Sequence, residues 1–328
     1  MHKYNYHIYG LRLLSNIHIP GLTIINETNS SKHILLNMGS FPKFISSLIK
    51  NNFDDQCIYK NTSSLNLSVY TLDNEKYYYF KYSEGIEFVC TRDGLKVWIT
   101  WEEPYTVKDA TSYLLGVVLG FILRLQDVVC LHASAVALNH YSIAFAGDSG
   151  AGKSTIASAL MNNGFKLITE DILPLNSVGD SFLSIPGYPH LRLFADAFQK
   201  LDNLTNDSSL ISDTWDKHFV DLTKTENSFI THPVPLKTIY ILDWEYSDSL
   251  QSPSIKKVHP THAVPLLASQ SWANTLLSIS HKKNEFIFLS QLATEVDVKR
   301  ILMCDNLDKL PELVQLIMKD TETYKDKG

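Results

Sequence analysis

Apolar and polar residues alternate over much of the first hundred positions, which is the spacing of half-buried strands. The pattern predicts strands at Tyr4–Tyr9, Leu22–Ile25, His33–Met38, Leu65–Leu72, Lys76–Tyr82, Ile86–Cys90 and Leu95–Trp101. Asn- and Ser-rich turns separate them, Arg92-Asp93-Gly94 reads as a hairpin tip, and Phe41–Lys50 reads as a short helix. The aromatic run Tyr77-Tyr78-Tyr79-Phe80 fits a two-faced strand, with a peptide-lining groove as the alternative. From Thr106 to Gln126 the period becomes helical. Thr106 and Asp109 have the spacing of a capping box, with Asp in place of the usual Glu. Apolar residues surround that helix, so it is expected to be buried as a joint between domains.

The second part of the chain mixes both periods. Strands are predicted at Val128–Ala137 and Tyr141–Ala146 about a tight Asn139-His140 turn, followed by a helix over Lys153–Asn163 and a strand at Lys166–Thr169. Beyond Pro174 the chain reads as loop-rich, with a turn cluster at Ile185–Pro189, a short apolar stretch at Leu191–Phe194 and a polar, mobile stretch at Asn203–Ser212. Leu236–Leu242 reads as a buried strand. Helices are then predicted at Ala263–Ile279 and Gln291–Val296, a strand at Val298–Met303, and an amphipathic helix at Leu307–Lys319. The expected fold is α/β: a core from residue 104 to 328 behind a smaller, mainly β domain of residues 1–103.

Composition narrows the partners. Of 328 residues, 45% are hydrophobic and 20% charged, and the formal net charge is -6, so no basic field recruits nucleic acid or an anionic membrane. The four cysteines, Cys57, Cys90, Cys130 and Cys304, are scattered, which argues for a reducing compartment and against a zinc site. The first ten residues lack the apolar stretch of a signal peptide, and the most apolar run, Tyr113–Leu123, is too short to span a bilayer. A soluble, cytoplasmic protein is the expectation.

One stretch carries specific chemistry. Gly147-Asp148-Ser149-Gly150-Ala151-Gly152-Lys153-Ser154, followed by Thr155, fits G-x-x-x-x-G-K-[ST], the phosphate-binding loop or Walker A pattern. A buried strand precedes it and a helix follows, the context that separates a real loop from a chance Gly-rich turn. Backbone N–H groups and the helix dipole would hold the phosphates of a nucleoside triphosphate. Lys153 would reach the β/γ-phosphates and the Ser154 hydroxyl would sit on Mg²⁺.

Glu170 and Asp171 lie 17 and 18 residues after Lys153, at the end of the strand that follows the loop's helix. In a parallel sheet that end faces the triphosphate, so one carboxylate can serve the metal and the other can accept a proton from an attacking hydroxyl. Their alternative is a capping role before Pro174. His132, 15 residues ahead of Gly147, is either a core histidine or the orienter of one carboxylate. Asp243 ends an apolar strand, as a Walker B aspartate does, and so competes with Asp171 for the metal.

Taken together, His132-Ala-Ser-Ala-Val, GDSGAGKST and GFKLITEDILP resemble the catalytic core of the HPr kinase/phosphorylase family. Tyr6–Leu22 (YHIYGLRLLSNIHIPGL), Pro186–Leu193 (PGYPHLRL) and Asp216-Lys217-His218 further resemble the stand-alone kinases of ribosomal-peptide clusters, the lasso-peptide kinases among them. The resemblance covers nearly the whole chain in scattered motifs. It implies ATP and Mg²⁺ as cofactors, a nucleotide site at Gly147–Thr155, and His132 supporting the catalytic carboxylate. Glu170 falls on the family's proton-accepting Asp and Asp171 on the second Asp near the metal. Glu170 is a departure, one methylene longer, which leaves open which of the two is the base. Arg192 and Lys217 become phosphate or substrate contacts, with a surface salt bridge as the rival reading.

The implied activity is serine phosphorylation of a peptide or protein, a ribosomally made precursor peptide in the first instance. A carrier protein such as HPr as substrate, an ATPase without acceptor, and a nucleotide-sensing module are the alternatives. No LSGGQ-like segment supports an ABC-type ATPase. The N-terminal domain is expected to grip an extended acceptor along a strand edge, or else to be purely structural, for instance as a homo-oligomer interface.

Overall fold

The computed structural model describes the chain except residues 1–2, 27–32, 52–56, 62–65, 195–207, 211–216, 224, 226–227, 245–251, 304–306 and 325–328. Two compact units emerge, residues 1–128 with 273–281, and residues 129–272 with 282–328. The segment over 106–126 therefore groups with the N-terminal sheet, whereas the sequence reading drew a boundary near residue 103.

The first unit is an eight-stranded sheet built from β1 (Tyr4–Ile8), β2 (Leu11–Ser15), β3 (Ile34–Gly39), β4 (Cys57–Asn61), β5 (Leu67–Leu72), β6 (Tyr77–Tyr82), β7 (Ile86–Thr91) and β8 (Lys96–Trp101). Its order is β1-β2-β3-β8-β7-β6-β5-β4, with β2–β3 and β3–β8 parallel. Alternation along β6 explains both covers. Tyr79 faces α1 (Lys43–Asn51), where Ile45, Leu72 and Val89 close a small core. Its neighbours Tyr78 and Phe80 turn to the other side and pack edge-on against Phe121, at 4.9 and 5.3 Å between ring centroids. Phe121 belongs to α3 (Leu119–Leu125), which continues α2 (Val107–Tyr113) through one π-helical stretch, Leu114–Val118. The Thr106–Asp109 capping box forms at the start of α2.

Leu22–Ile25 does not form the expected strand; Ile25 instead donates one backbone bond to Asn5 at 2.8 Å. The strands β2 and β4 escaped the sequence reading. β4 lacks the alternation of buried and exposed positions that marks a strand, Cys57 and Ile58 both being exposed.

The second unit contains β9 (Val129–Leu138), β10 (Tyr141–Ala146), α4 (Lys153–Met161), β11 (Lys166–Thr169), β12 (Ile172–Val178), β13 (Ser181–Ser184), β14 (His190–Phe194), β15 (Ser208–Leu210), β16 (Lys217–Asp221), β17 (Val234–Trp244), β18 (Ser254–Lys257), α5 (Pro260–Ser269), α6 (Ile279–Glu295), β19 (Asp297–Met303) and α7 (Leu310–Thr321). The main sheet runs β10-β9-β12-β13-β17-β19-β18, with β10 also pairing β17 and β11 pairing β9. A second, three-stranded sheet has the order β14-β16-β15.

Tyr141–Ala146 is apolar except for Ser142, whose buried hydroxyl bonds Ser184, because both faces of β10 are covered. Ala144 and Ala146 look toward a core with Leu267 of α5 and Leu289 and Leu292 of α6. Tyr141, Ile143 and Phe145 look toward Ile156 and Leu160 of α4 and Leu313 and Ile317 of α7. Each fully buried Leu, Ile or Phe contributes on the order of 1.5–3 kcal/mol to holding these layers together.

The loop expected beyond Pro174 is corrected by β12 and β13. Pro174 pairs in register with Cys130 of β9, and its carbonyl accepts from the Ile185 N–H at 3.0 Å. A proline lacks only the donor, so a strand that uses its carbonyl tolerates it. Residues 263–279 are not one helix either: α5 stops at Ser269, Ala273 adopts a left-handed φ of 55°, and α6 begins at Ile279. The helix expected at Gln291–Val296 is the end of α6. Most of the polar stretch 203–212 lies outside the described residues, as do Asp216 and Cys304, while Ser208–Leu210 forms β15.

Candidate functional site

Strand direction brings the predicted residues to one place. β10 ends at Ala146, immediately before Gly147, and the antiparallel β9 sets Ala133 opposite Ala146. His132 therefore stands beside the loop. β11 runs antiparallel to β9, and hence in the direction of β10, so its end delivers Glu170 and Asp171 to the same edge. The sheet is mixed rather than all-parallel at this edge, and β9 lies between β10 and β11. Ile172 pairs with His132, and the Ala133 N–H donates to the Asp171 carbonyl at 3.2 Å.

The loop has the backbone that its glycines allow. Gly150 and Gly152 take φ of 84° and 89°, values that side-chain-bearing residues rarely adopt. Gly147 packs so closely on β17 that a Cβ there would lie 3.2 Å from that of Leu242. Gly152, at the N-cap of α4, offers no side-chain hydrogen bond to the first amides of the helix. Lys153 is buried, and its Nζ donates to the carbonyls of Gly147 and Asp148 at 2.8 and 2.9 Å. Asp148 and Ser149 are exposed on the loop, Ala151 is buried beneath it, and Ser154 and Thr155 open the helix.

A chain of contacts runs across the mouth of the loop. Ser154 Oγ donates to Glu170 Oε1 at 2.7 Å. Arg192, from β14, donates from Nε to Glu170 Oε2 at 2.8 Å and from Nη2 to Asp171 Oδ2 at 2.9 Å. His132 Nε2 completes the chain 3.2 Å from Asp171 Oδ1. The Ser134 hydroxyl also donates to the Glu170 carbonyl. Side-chain exposures of 13% for Arg192 and 10% for Glu170 place this fork out of bulk water, where each charge needs its partner.

The electrostatics follow from that packing. Burial alone would raise the Asp171 carboxyl, but Arg192 and the His132 hydrogen bond outweigh it and hold the group well below the usual carboxylate range. Burial likewise opposes charge on Arg192, and Glu170, Tyr188 and Asp171 more than reverse this, so the guanidinium stays protonated. Burial pushes the Tyr188 hydroxyl up to about 12, which keeps it neutral beside Arg192.

Asp243 is the penultimate residue of β17, beside Leu242, which packs close to Gly147, yet it stands outside the chain of contacts. It is 44% exposed and faces Arg300 Nε at 3.4 Å. Lys217 opens β16 opposite Phe194 in the three-stranded sheet, and its side chain lies outside the described atoms. Arg192, expected as a phosphate or substrate contact or else a surface salt bridge, pairs with both carboxylates from a largely buried position. Trp272 was missed; its ring stands edge-on to His132 at 5.2 Å. Tyr188 was also missed as a site residue, although it lies within the PGYPHLRL phrase.

The donor set fits Mg²⁺ held jointly with a nucleotide. Ser154 Oγ and the Glu170 and Asp171 carboxylates are hard oxygen donors, and Mg²⁺ takes few protein ligands when phosphates and water supply the rest. Among the described residues no group of three His, Cys, Asp or Glu side chains is placed to hold a metal alone.

Strand, glycine loop, helix and paired carboxylates together give a mixed α/β core with the strand–loop–helix layout of a phosphate-loop motif. No protein-family profile matches the chain. The HPr kinase/phosphorylase of Lachnoclostridium phytofermentans is 27% identical over 101 residues, which is 31% of this chain and 31% of that protein. The match thus spans about a third of the relative's length. The solved Hpr(Ser) kinase/phosphatase of Coxiella burnetii aligns with 60% of this chain and 98% of its own, at 12% identity and a TM-score of 0.33. The chain is distantly similar to the HPr kinase/phosphorylase family. No helix among the described residues is long and apolar enough to cross a membrane.

Proposed function

We propose that this protein is an ATP- and Mg²⁺-dependent kinase that phosphorylates a serine hydroxyl on a peptide or protein, a ribosomally made precursor peptide in the first instance. The observation that carries the reading is the Ser154–Glu170–Arg192–Asp171–His132 chain across the phosphate loop. A binding-only loop needs no second carboxylate held by its own histidine and arginine.

The loop amides of Gly147–Thr155 and the amine of Lys153 would hold the phosphates, Lys153 exchanging loop carbonyls for phosphate oxygens. Bound Mg²⁺, held by Ser154 and one carboxylate, would neutralise charge on the transferring group. Glu170 or Asp171 takes the serine proton. All four carboxylate oxygens are engaged, so whichever acts as base must first release a partner. Asp171 is the candidate base because His132 is positioned to orient it; Arg192, which favours the ionised carboxylate and so weakens it as a base, is the partner it must release. Glu170, bonded to the Ser154 hydroxyl, is better placed for the metal. This exchanges the roles that strict family correspondence assigns.

Consumption of ATP in the presence of Mg²⁺ should rise when a degenerate peptide library with a central serine is added, and not with the same library carrying alanine. Equal consumption with both libraries favours the ATPase reading instead.

A further inference from the structure

Two groups near the site have no part in the chemistry above. Glu285 is only 5% exposed and sits on the face of α6 that also presents Leu289 and Leu292 to the core. An apolar side chain would suit that position, since a buried carboxylate must be compensated. Its Oε1 accepts from the Ser271 hydroxyl at 2.5 Å. Ser271 lies in the short connection after α5, and that connection is stitched to β9. The His132 N–H donates to the Gln270 carbonyl at 2.7 Å, Leu131 and Ser271 form an antiparallel bridge, and the Trp272 N–H donates to the Cys130 carbonyl at 2.9 Å. The result presents the Trp272 ring to the His132 ring at 5.2 Å and 87°.

The imidazole torsion is broad and roughly two-fold, so a hydrogen bond to Asp171 alone leaves the ring room to swing. A perpendicular indole beside it restricts that swing. We propose that Trp272, presented by the Glu285–Ser271 hydrogen bond, is a positioning residue for His132 and thereby for Asp171. Glu285 occupies a core-facing position because the hydrogen bond it accepts places the connection.

The rate measurement for this inference rests on the kinase reading; the spectroscopic one does not. In single-turnover transfer to the serine library, Trp272→Ala should lose about tenfold or more, the scale for groups that orient a site ligand, with Mg·ATP affinity unchanged. Trp272→Phe should retain most of the rate, and Ser271→Ala should lose part of it while Glu285→Gln, which keeps an acceptor oxygen, stays near wild type. In a His132→Ala background, Trp272→Ala should have no further effect, because its action passes through the missing ring. An undiminished loss in that background overturns the proposal. Long-range ¹H–¹⁵N spectra of the imidazoles, with His132→Ala used for assignment, supply the second measurement. His132 should give one ordered set of ring signals in wild type, and Trp272→Ala should shift or broaden it. Unchanged His132 signals in a folded Trp272→Ala protein overturn the proposal even if no transfer activity is found.

Discussion

Ser154 Oγ lies 2.7 Å from Glu170 Oε1, so the second residue of the loop's helix touches the first carboxylate after the next strand. The contact makes Ser154 and Glu170 joint candidates for the metal. Ser154→Ala should raise the Mg²⁺ concentration needed for half-maximal turnover, and Glu170→Gln should do the same. A metal titration unaltered by both substitutions removes this pair from the metal shell.

The carboxylates also compete with Asp243. Asp171→Asn and Glu170→Gln should each lower the rate by at least ~10²-fold, the scale for loss of a general base or of a transition-state electrostatic contact. Asp243→Asn should cost far less, because Asp243 is half-exposed and faces Arg300 outside the chain of contacts. An essential Asp243 with a dispensable Asp171 would place the metal on β17.

Much of the site was legible because its signals are local. Glycine spacing marks the loop, apolar runs mark β10 and β11, and the end of a strand fixes where Glu170 and Asp171 lie. The fork of Arg192 was not legible in that sense. Its direction is set by β14 pairing with β16 more than twenty residues later, Arg192 lying opposite Phe219. The course of α6 was obscured for a similar reason. Phe286 and Ile287 are exposed whereas Glu285 is buried, so the apolar period misstates which face looks inward. Trp272 sits in what read as a helix interior, and only the pairing of its connection with β9 ends the helix before it. Pro174 hides β12 because a proline reads as a breaker, whereas here its carbonyl still accepts from Ile185, just past β13.

His190 gives the fold a pH dependence. Burial pushes its imidazole down to about 4, with the Asp221 carboxylate 3.5 Å away offsetting part of this and Arg192 adding to it. An unfolded histidine titrates near ~6.5, so between the two values the unfolded chain binds the extra proton. The associated stability is fully present above ~6.5 and is lost progressively as pH falls toward 4. Urea midpoints measured from pH 7.5 down to 4.5 should therefore fall less steeply for His190→Asn than for wild type. Parallel slopes would show that His190 does not carry this dependence.

The first unit has its own sensitive point. Gly94 takes φ of 68°, and a Cβ there would lie 2.9 Å from Cγ2 of Ile122. Gly94→Ala combines left-handed strain with a contact that real Cβ atoms avoid, and should destabilise the protein by about 1–3 kcal/mol. Equilibrium unfolding checks it, and an unchanged midpoint would mean that the Arg92–Leu95 turn rearranges at no cost.

The role of the first unit in holding the acceptor can be separated from a structural one by strand-edge substitutions. β4 is an edge strand whose Cys57, Ile58 and Lys60 are exposed. If an acceptor adds to that edge, Ile58→Pro should raise KM for the peptide while leaving KM for ATP unchanged. Unaltered peptide KM in a folded variant would exclude this edge.

The central claim is that the loop and its carboxylates move a phosphoryl group from ATP to serine. Mass spectrometry of the serine library, and of any short peptides encoded beside this chain's gene, after incubation with the protein and Mg·ATP tests it most directly. The account predicts phosphoserine with wild type, none with Lys153→Ala, and at least ~10²-fold less with Asp171→Asn. ATP hydrolysis at the same rate with or without peptide, and no phosphoserine in any of them, would contradict it.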